Sequence, residues 1–409
     1  MFRTIRKCSP FSEYSFSQLD IHKYLQSSLS KLGFVKLTKV QSLSFVSLSN
    51  MRDVVLSSET GSGKTLAYLL PLFNNVLNQS IIRRVGLVGR PPAVIVAPTM
   101  ELCEQILAVA KALDSENRVS KQLLTGTSFN LREDTVIEAP RIRWGLVDIV
   151  LTTPAMFASD IERFRGDKLF PVCTIFDEAD LLFHAHPSVM DILGYLRSRK
   201  SGPETQCVFA SATLPSVGPF TIGNILTQRF QTAEIIRTDD FHSVPKNIRI
   251  EWIPELEASW DNRCFLLTKL LHENENQNIL IFTNSNKNCK LIFSFLNEKK
   301  WPIKIFSRSI NSEISSGIWV CTDLASRGID WENIDLVINF QMPTDIVTWI
   351  HRAGRTGRMG TSGRVVSFYK QSEQPLVDML KAKSGESLSK LFSHKRSLRK
   401  KLDVSKNVF

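Results

Sequence analysis

The sequence predicts an α/β protein made of two lobes, each a mostly parallel sheet flanked by helices. Short apolar runs, DVVLSS, AVIVAPT, VDIVLTT, VCTIFDEAD and QCVFASAT, are each followed by ten or more residues that suit a helix. A second and smaller series of such runs, NILIFTNS, GIWVCTD, DLVINFQMP and GRVVSFY, comes later in the chain. Strands that alternate with helices are typical of βαβ units, in which neighbouring strands pair in parallel.

The boundaries of the lobes follow from where this rhythm stops. With 409 residues the chain is too long for one ordinary domain and suits two. We place the first domain over residues 16–236 and the second over 248–372, with a linker at 237–247. Two lobes with a short connection suggest a cleft. The flanking segments are residues 1–15 and 373–409.

The chain is basic, with 51 Lys and Arg against 40 Asp and Glu and a net charge of +11. From Lys381 to Phe409, nine basic residues and two acidic ones supply +7 of this charge. Such a balance favours a polyanionic partner through attraction to phosphates. For this C-terminal tail two interpretations stay open, an extension that grips the polyanion and a solvated, partly disordered segment.

Three further features bear on where the protein works. The segment MFRTIRKCSPFSEYS carries Arg3, Arg6 and Lys7 and no acid before Glu13, which resembles a short organellar transit peptide, with an ordinary terminus as the alternative. No stretch approaches the roughly 20 apolar residues of a membrane span, so we expect no membrane partner. The seven cysteines form no CxxC pair, and we therefore expect a reducing compartment and no cysteine metal site.

The stretch SETGSGKTLAYLLPL, beginning at Ser58, has the form of a phosphate-binding loop between a strand and an apolar helix. Glycines let the backbone wrap the phosphates, while the N–H groups and the dipole of the helix face them. Lys64 supplies a catalytic positive charge and Thr65 a ligand for Mg²⁺. The expected phosphate-binding residues are Thr60, Gly61, Ser62, Gly63, Lys64 and Thr65.

A second motif, IFDEADLLF from Ile175, ends a predicted strand with three acids within four positions. The strand would deliver Asp177 to the sheet edge beside the loop, where its carboxylate can hold the Mg²⁺ shell. Glu178, the next residue, can orient an attacking water as a catalytic residue. Together the two motifs predict a nucleoside triphosphatase, and a plain capped helix start is the alternative.

An ordered series of motifs identifies a family: Phe16, GFVKLTKVQ ending at Gln41, ETGSGKT, PTMEL, TTP, DEAD, SAT, IFTNS, CTDLASRGID and HRAGRTGR. With this series the chain resembles the DEAD-box RNA helicases of helicase superfamily 2, as a divergent member, over roughly residues 16–370. The resemblance implies two tandem RecA-like domains, with ATP and Mg²⁺ as cofactors.

The same resemblance implies roles for residues that spacing alone does not explain. The nucleotide residues implied in this way are Phe16 and Gln41 at the adenine, Gly328 and Asp330 from the second domain, and the arginine fingers Arg355 and Arg358. The residues implied to couple the two domains are Asp180, Ser211, Thr213 and His351. Hydrolysis would then depend on closure of the domains.

RNA is the implied partner, held through its sugar-phosphate backbone and recognised by its 2′-hydroxyls. The implied contacts are Pro98, Thr99, Glu101, Thr153 and Pro154 in the first domain and Thr283, Thr322, Arg327 and Gly328 in the second. A single strand or a short duplex, including ribosomal RNA, would be the substrate.

Several residues on this RNA-facing side depart from the family pattern. The departures are Leu37 for proline, Met100 for arginine, Ala155-Met156 for glycine and arginine, Gly126-Thr127 for a glycine pair, and Gln341 for an acid. The largest departure lies between Phe306 and Cys321, where 14 residues stand in place of a longer segment that carries a Gln-x-x-Arg helix in the family. We therefore expect RNA to be weakly coupled to hydrolysis in the isolated protein.

These observations predict an ATP-dependent RNA helicase or ribonucleoprotein remodelling ATPase. Mitochondrial ribosome assembly or RNA processing is the expected setting, with the nucleus or cytoplasm as alternatives. Two other functions stay open: an RNA clamp that needs a protein partner and hydrolyses ATP weakly, and an assembly scaffold with a vestigial site. The intact Glu178, Arg355 and Arg358 argue against the scaffold.

Overall fold

A computed structural model describes most of the chain. The described residues are 11–59, 61–78, 92–125, 136–139, 141–164, 169–198, 204–213, 222–238, 247–255, 259–306, 317–323, 334–357 and 361–382. They form two compact units, one made of the described residues in 11–58, 62–213 and 222–238, and one made of those from 247 to 382. The first ten residues, residues 239–246 of the expected linker, and the basic tail from residue 383 lie outside the described residues.

The first unit is built on one parallel sheet of eight strands. The described strands of the unit as a whole, two of which lie outside this sheet, are β1 (Phe11–Ser15), β2 (Lys36–Thr38), β3 (Val54–Ser57), β4 (Ala93–Val96), β5 (Lys121–Leu124), β6 (Val136–Ala139), β7 (Ile149–Thr152), β8 (Cys173–Phe176), β9 (Gln206–Ser211) and β10 (Glu234–Arg237). The sheet runs in the order β10-β3-β9-β8-β4-β7-β5-β6, and β1 and β2 form a separate antiparallel pair.

Helices cover both faces of this sheet. They are α1 (Lys23–Lys31), α2 (Lys39–Ser49), α3 (Lys64–Leu77), α4 (Met100–Leu113), α5 (Pro154–Phe164), α6 (Ala179–Ala185), α7 (Ser188–Leu196) and α8 (Ile222–Arg229). Every residue of β3, β4, β7, β8 and β9 is buried, which explains why these strands read as continuous apolar runs rather than alternating ones.

Strand order decides which loops of the first unit meet. β9 pairs with both β3 and β8, and β8 pairs also with β4, always in parallel. The carboxyl ends of these strands therefore lie along one edge of the sheet, where ligands bind in open α/β sheets. The glycine-rich loop follows β3 and the acidic motif follows β8, so the sheet brings both predicted motifs to the same edge.

The second unit contains a parallel sheet of six strands in the order β11-β16-β15-β12-β14-β13. Its strands are β11 (Ile248–Pro254), β12 (Ile279–Thr283), β13 (Ile303–Ile305), β14 (Ile318–Thr322), β15 (Leu336–Asn339) and β16 (Gly363–Tyr369). Its helices are α9 (Trp260–His272), α10 (Asn286–Glu298), α11 (Ile346–Ala353) and α12 (Gln374–Ala382). One apolar cluster on this sheet includes Trp252 and Trp349, whose rings stack with centroids 5.3 Å apart.

The shortened region of the second unit lies between β13 and β14. β13 ends at Ile305 and β14 begins at Ile318, which leaves twelve residues, 306–317, for a parallel crossover. A crossover between parallel strands needs about a dozen residues, so this one is near the minimum. The two strands still pair in parallel, with Ile303 beside Ile318, so the short crossover does not prevent β13 from joining the sheet.

The structure confirms the α/β architecture with two parallel sheets flanked by helices. Among the described residues, no helix combines the length and the apolar character needed to cross a bilayer.

Candidate functional site

The glycine-rich loop connects β3 to α3 with a backbone that requires glycine. Gly63 precedes α3 at φ +87°, a left-handed conformation that side chains disfavour. A Cβ atom at this position would also lie 2.6 Å from Nε2 of Gln41. The first turn of α3 leaves N–H groups without partners in the helix, and these are the groups that bind phosphate at a helix start.

Lys64, the first residue of α3, folds back across this loop. Its Nζ atom donates a hydrogen bond to the carbonyl oxygen of Ser58 at 2.8 Å. The hydroxyl groups of Ser58 and Ser62 are hydrogen-bonded to each other at 2.6 Å, which closes the loop from the other side. Two side-chain hydrogen bonds therefore join the described residues at the two ends of the loop.

Asp177 comes directly after β8 and is 5% exposed. Its Oδ2 atom accepts a hydrogen bond from the hydroxyl of Tyr68 at 3.0 Å, and its Oδ1 atom accepts one from the N–H of Glu178. Burial, and then the charge of Glu178, raise the pKa of Asp177 to about 7, against the lowering effects of Tyr68 and Lys64. The site thus holds a carboxylate whose negative charge is only partly compensated.

Glu178 occupies a backbone conformation that non-glycine residues seldom adopt. It precedes α6 with φ 50° and ψ 50°. Such a conformation costs on the order of 1–3 kcal/mol and persists only where the surrounding structure enforces it. Here it follows the buried end of β8, and it sets the direction in which the half-buried Glu178 side chain leaves the sheet edge.

The donor set suits a hard divalent cation such as Mg²⁺, which prefers oxygen ligands. Asp177, one of the two predicted ligands, accepts a hydrogen bond from the hydroxyl of Tyr68, which lies on α3 three residues after the other predicted ligand, Thr65. A cation placed here would favour the charged form of Asp177 and offset the cost of burying it. The residues present therefore fit a magnesium-bound nucleotide.

Gln41 contacts the glycine-rich loop directly. Its Nε2 atom donates to the carbonyl oxygen of Gly63 at 3.2 Å, and its Oε1 atom accepts from the N–H of Thr38 at 2.9 Å. A carboxamide has two donors and two acceptor lone pairs, so one of each remains for a base edge.

Phe16, the other expected adenine contact, is 4% exposed. Its ring belongs to the core of the first unit, with its centroid 6.3 Å from that of Phe34. The structure therefore shows Phe16 as a packing residue, and its stacking on adenine stays a prediction.

Three of the predicted coupling residues form a network in the first unit. The hydroxyl of Thr213 donates to Asp180, and the hydroxyl of Ser211 donates to the carbonyl oxygen of Thr213 at 2.7 Å. The N–H of Asp180 in turn donates to Ser211 Oγ at 3.4 Å. His351 lies buried on α11 in the second unit, and its link to this network stays a prediction.

The predicted RNA contacts of the first unit follow β4 and β7 at the same sheet edge. Thr99 caps α4, since its Oγ1 atom accepts from the N–H of Leu102 at 3.3 Å, and Glu101 lies in the first turn of that helix. Thr153 immediately follows β7, and Pro154 is the first residue of α5. These residues therefore lie at the carboxyl-terminal edge of the sheet, where the glycine-rich loop and the acidic motif also lie. Their contact with RNA stays a prediction.

Thr283, a predicted RNA contact of the second unit, is the last residue of β12. Its side chain is fully buried, and its hydroxyl donates to the carbonyl oxygen of Ser285 at 3.0 Å. The same oxygen lies 2.9 Å from Sγ of Cys289. The hydroxyl thus fixes the turn after β12 in this structure, and its contact with RNA stays a prediction. Thr322 ends β14 and is half-buried.

Arg352 is a central residue of the second unit that sequence reasoning missed. Its guanidinium group is 1% exposed and makes two hydrogen bonds to the carboxylate of Asp323, at 2.6 and 2.7 Å. The remaining donors reach Asn284 Oδ1, Asn339 Oδ1 and the carbonyl oxygen of Gln341. One side chain thus ties together the ends of β12, β14 and β15. The only signal was its place in HRAGRTGR.

The structure explains two of the departures from the family pattern. The Oε1 atom of Gln341 accepts hydrogen bonds from the N–H of Asn284 at 3.0 Å and from the side chain of Asn288 at 2.8 Å. An amide oxygen thus serves as the acceptor where the family has a carboxylate, without its charge. Leu37, in place of proline, is fully buried in the core of the first unit.

Of the two predicted arginine fingers, Arg355 belongs to the described residues. Arg355 is buried within the second unit, and its N–H donates to the carbonyl oxygen of Arg352 at 3.1 Å. The predicted residues outside the described part of the chain are Thr60, Arg327, Gly328, Asp330 and Arg358. The same holds for Gly126-Thr127 and for residues 307–316 of the shortened crossover.

Comparison with known proteins agrees with this geometry. The DEAD/DEAH box helicase model matches residues 38–219, and the helicase conserved C-terminal domain model matches residues 262–360. The chain belongs to the DEAD-box helicase family. The first match contains the glycine-rich loop and the acidic motif, and the second contains Arg352.

Individual DEAD-box proteins are similar over most of this chain. DEAD-box ATP-dependent RNA helicase 39 of Arabidopsis thaliana is 27% identical, over 95% of this chain and 64% of its own length. ATP-dependent RNA helicase RhlB of Shewanella piezotolerans is 26% identical, over 87% of this chain and 81% of its own length. The chain thus spans less than two thirds of the Arabidopsis relative.

A solved DEAD-box structure, that of S. cerevisiae Dbp5 bound to RNA and ADP BeF3, has the same fold. It superposes with a TM-score of 0.72 at 21% identity, covering 91% of this chain and 94% of the Dbp5 chain. The two units of this protein are therefore tandem RecA-like domains, as predicted.

Proposed function

We propose that this protein is an RNA-dependent ATPase that remodels RNA or ribonucleoprotein. The observation that carries the proposal is the hydrogen bond from Tyr68 on α3 to Asp177, which joins the helix of the phosphate loop to the acidic motif. Two sequence motifs more than a hundred residues apart thereby form one polar site at a sheet edge.

Each residue of this site has a role in hydrolysis that follows from its position. ATP supplies the phosphoanhydride bond whose hydrolysis releases free energy. Lys64 and the N–H groups at the start of α3 neutralise phosphate charge. Glu178 accepts a hydrogen bond from the attacking water and orients it, and Thr65 and Asp177 hold Mg²⁺.

RNA is the proposed polyanionic partner. Thr99, Glu101 and Thr153 lie just beyond the carboxyl ends of β4 and β7. This is the same edge of the sheet that carries the nucleotide site. A net charge of +11 favours binding to a phosphate backbone. Dbp5 is bound to RNA in its solved structure, which supports this choice of partner.

The proposed setting is mitochondrial ribosome assembly or RNA processing. Arg3, Arg6 and Lys7, with no acid before Glu13, support import into mitochondria. Fluorescence microscopy of a C-terminally tagged full chain tests this. A nuclear or diffuse cytoplasmic signal would remove the mitochondrial assignment and leave the enzymatic proposal intact.

Gln41→Ala is expected to abolish a preference for ATP over GTP while phosphate binding persists. The remaining donor and acceptor of the Gln41 carboxamide match the edge of adenine and not that of guanine, whereas Lys64 and the loop hold only phosphates. The measurement is competition of ATP and GTP against a fluorescent ATP analogue.

Gln26→Ala is the matched control, because the side chain of Gln26, on α1, donates to the carbonyl oxygen of Leu19 and makes no hydrogen bond to a loop residue in the described part of the chain. It should keep the parent's preference. Equal affinity of the parent protein for ATP and GTP would contradict the adenine assignment.

Single-stranded RNA is expected to stimulate ATP hydrolysis only weakly in the protein alone, with little unwinding of a short duplex. The reason is the twelve-residue crossover between β13 and β14, which leaves no room for the longer segment expected there. A loss of about 1.4 kcal/mol of coupling between RNA and nucleotide sites lowers the stimulated rate about tenfold. Steady-state hydrolysis with and without RNA measures this, with Lys64→Ala as the inactive control.

The same crossover favours a second candidate function, an RNA clamp that hydrolyses ATP only with a protein partner. Stable RNA binding with ATP but no stimulation would support the clamp. Strong stimulation and unwinding without any partner would show instead that the short crossover is harmless.

A further inference from the structure

Two lysines lie on the exposed face of α10 close to its start. Lys287 and Lys290 are both exposed, and among the described residues neither ammonium group has an ion-pair, hydrogen-bond or ring partner. They are three positions apart, so their side chains lie next to each other. They point away from the face that buries Cys289, Ile292 and Leu296.

Positive charge in the second unit is concentrated around this helix. Residues 286–306 carry five lysines and one acid, whereas the other described residues of the unit carry eight Lys and Arg against ten Asp and Glu. Two of the five lysines have contacts within the fold. The ammonium group of Lys299 lies 5.1 Å from the ring centroid of Phe295, and that of Lys304 lies 5.0 Å from that of Trp319.

The pair at the start of α10 does not stabilise the helix. The residues three and four positions after each lysine are Lys290, Leu291, Phe293 and Ser294, so neither has an acid in reach along the helix. Lys287 lies in the first turn, where the helix dipole disfavours a cation. The two like charges also repel each other. A role in folding therefore does not account for them.

The position of the pair relates it to the predicted RNA contacts. α10 begins three residues after β12 ends at Thr283, so its first turns lie at the carboxyl-terminal edge of the second sheet. Thr322 ends β14, which pairs with β12 in parallel, at the same edge. The two unpartnered lysines thus lie at the edge where RNA is expected.

Gln341 keeps this edge free of one negative charge. Its Oε1 atom accepts a hydrogen bond from the side chain of Asn288, the residue between the two lysines, at 2.8 Å. The family has an acid at this position, and a carboxylate here would attract the lysines and repel a phosphate. The neutral amide keeps the hydrogen bond without that repulsion.

We propose that Lys287 and Lys290 form an additional contact surface for the sugar-phosphate backbone of RNA, with one phosphate at each ammonium group. This surface extends the RNA site of the second unit from the sheet edge onto the exposed face of α10. The inference rests on the proposed function and names a further surface for its partner.

The test is the salt dependence of RNA binding by the full chain, with a fluorescein-labelled oligouridylate as the probe and anisotropy as the readout. Each phosphate that a lysine neutralises on a single strand contributes about 0.7 to the slope of log affinity against log salt. In the double variant Lys287→Gln, Lys290→Gln the slope should therefore fall by about 1.4. Extrapolated from about 1 M salt, this corresponds to roughly 25-fold weaker binding at ~0.1 M.

The double variant Lys299→Gln, Lys300→Gln is the matched control. It removes the same charge just beyond the other end of α10, about 18 Å away along the helix axis. This control should keep the slope of the parent protein. Since all four lysines are exposed, both variants should also keep the parent's melting temperature.

A parent slope in the variant of Lys287 and Lys290 would overturn the inference and leave an acidic protein segment as the match for the two charges. An equal fall in both variants would also overturn it, because RNA would then respond only to net charge. If the parent protein binds no RNA, the proposed function itself fails. A fall confined to the variant of Lys287 and Lys290 supports the surface.

Discussion

Glu178→Gln is expected to lower ATP hydrolysis by about 10²- to 10⁴-fold, the usual contribution of general acid–base groups. Glutamine has nearly the same shape but cannot take up negative charge, so the attacking water loses the carboxylate that orients it. The main-chain bond from residue 178 to Asp177 Oδ1 does not depend on the side chain, and Lys64 is untouched. Affinity for ATP should therefore stay within a few-fold of the parent value.

Single-turnover hydrolysis and equilibrium binding, measured on the same preparation, separate these two effects. Glu204→Gln is the control, since Glu204 is an exposed acid that pairs with Arg197 and lies away from the acidic motif. It should hydrolyse ATP at the parent rate. Unchanged hydrolysis in Glu178→Gln would show that another group positions the water.

Arg352→Met is expected to destabilise the second unit by about 3 kcal/mol, the lower end of the range for breaking a buried ion pair. Methionine fills much of the space but leaves the carboxylate of Asp323 without its cation. It also removes the donors to Asn284, Asn339 and Gln341. The lower end applies because Asp323 is a quarter exposed and can recover some hydration.

Urea unfolding followed by far-UV circular dichroism gives the stability, and hydrogen exchange with mass spectrometry assigns the loss to β12, β14 and β15. The control is Arg249→Met, since Arg249 pairs with Glu251 but is 78% exposed. Its effect should lie within about 0.5 kcal/mol, as for most surface substitutions. Equal stability of both variants would mean that Arg352 does not hold the loops together.

The central strands were predictable from sequence because they are buried on both faces and are therefore apolar throughout. The edge strands were not. β10 and β13 alternate buried and exposed residues, and β11 carries Arg249 and Glu251, so none of them forms an apolar run. Short strands of this kind are defined by their pairing partners, which only the folded chain supplies.

The candidate site divides in the same way. The glycine-rich loop and Asp177 were predictable because their chemistry depends on neighbours in sequence. Tyr68 and Arg352 contact residues that are distant in sequence, and Asp177, the partner of Tyr68, lies 109 positions away. No local sequence pattern predicts such contacts. Thr283 shows the reverse case, in which a residue in a recognised motif uses its hydroxyl within the fold.

The two units differ in their tryptophan content, and the stacked pair of Trp252 and Trp349 belongs to the second unit. Of the seven tryptophans in the chain, only Trp144 precedes residue 247, and the rest follow it. Emission excited near the red edge of indole absorption will therefore follow the C-terminal unit almost alone, and the stacked pair adds exciton coupling to its near-ultraviolet spectrum. An investigator who monitors unfolding by intrinsic fluorescence will observe one half of the molecule, and the nucleotide-binding half will need an introduced chromophore.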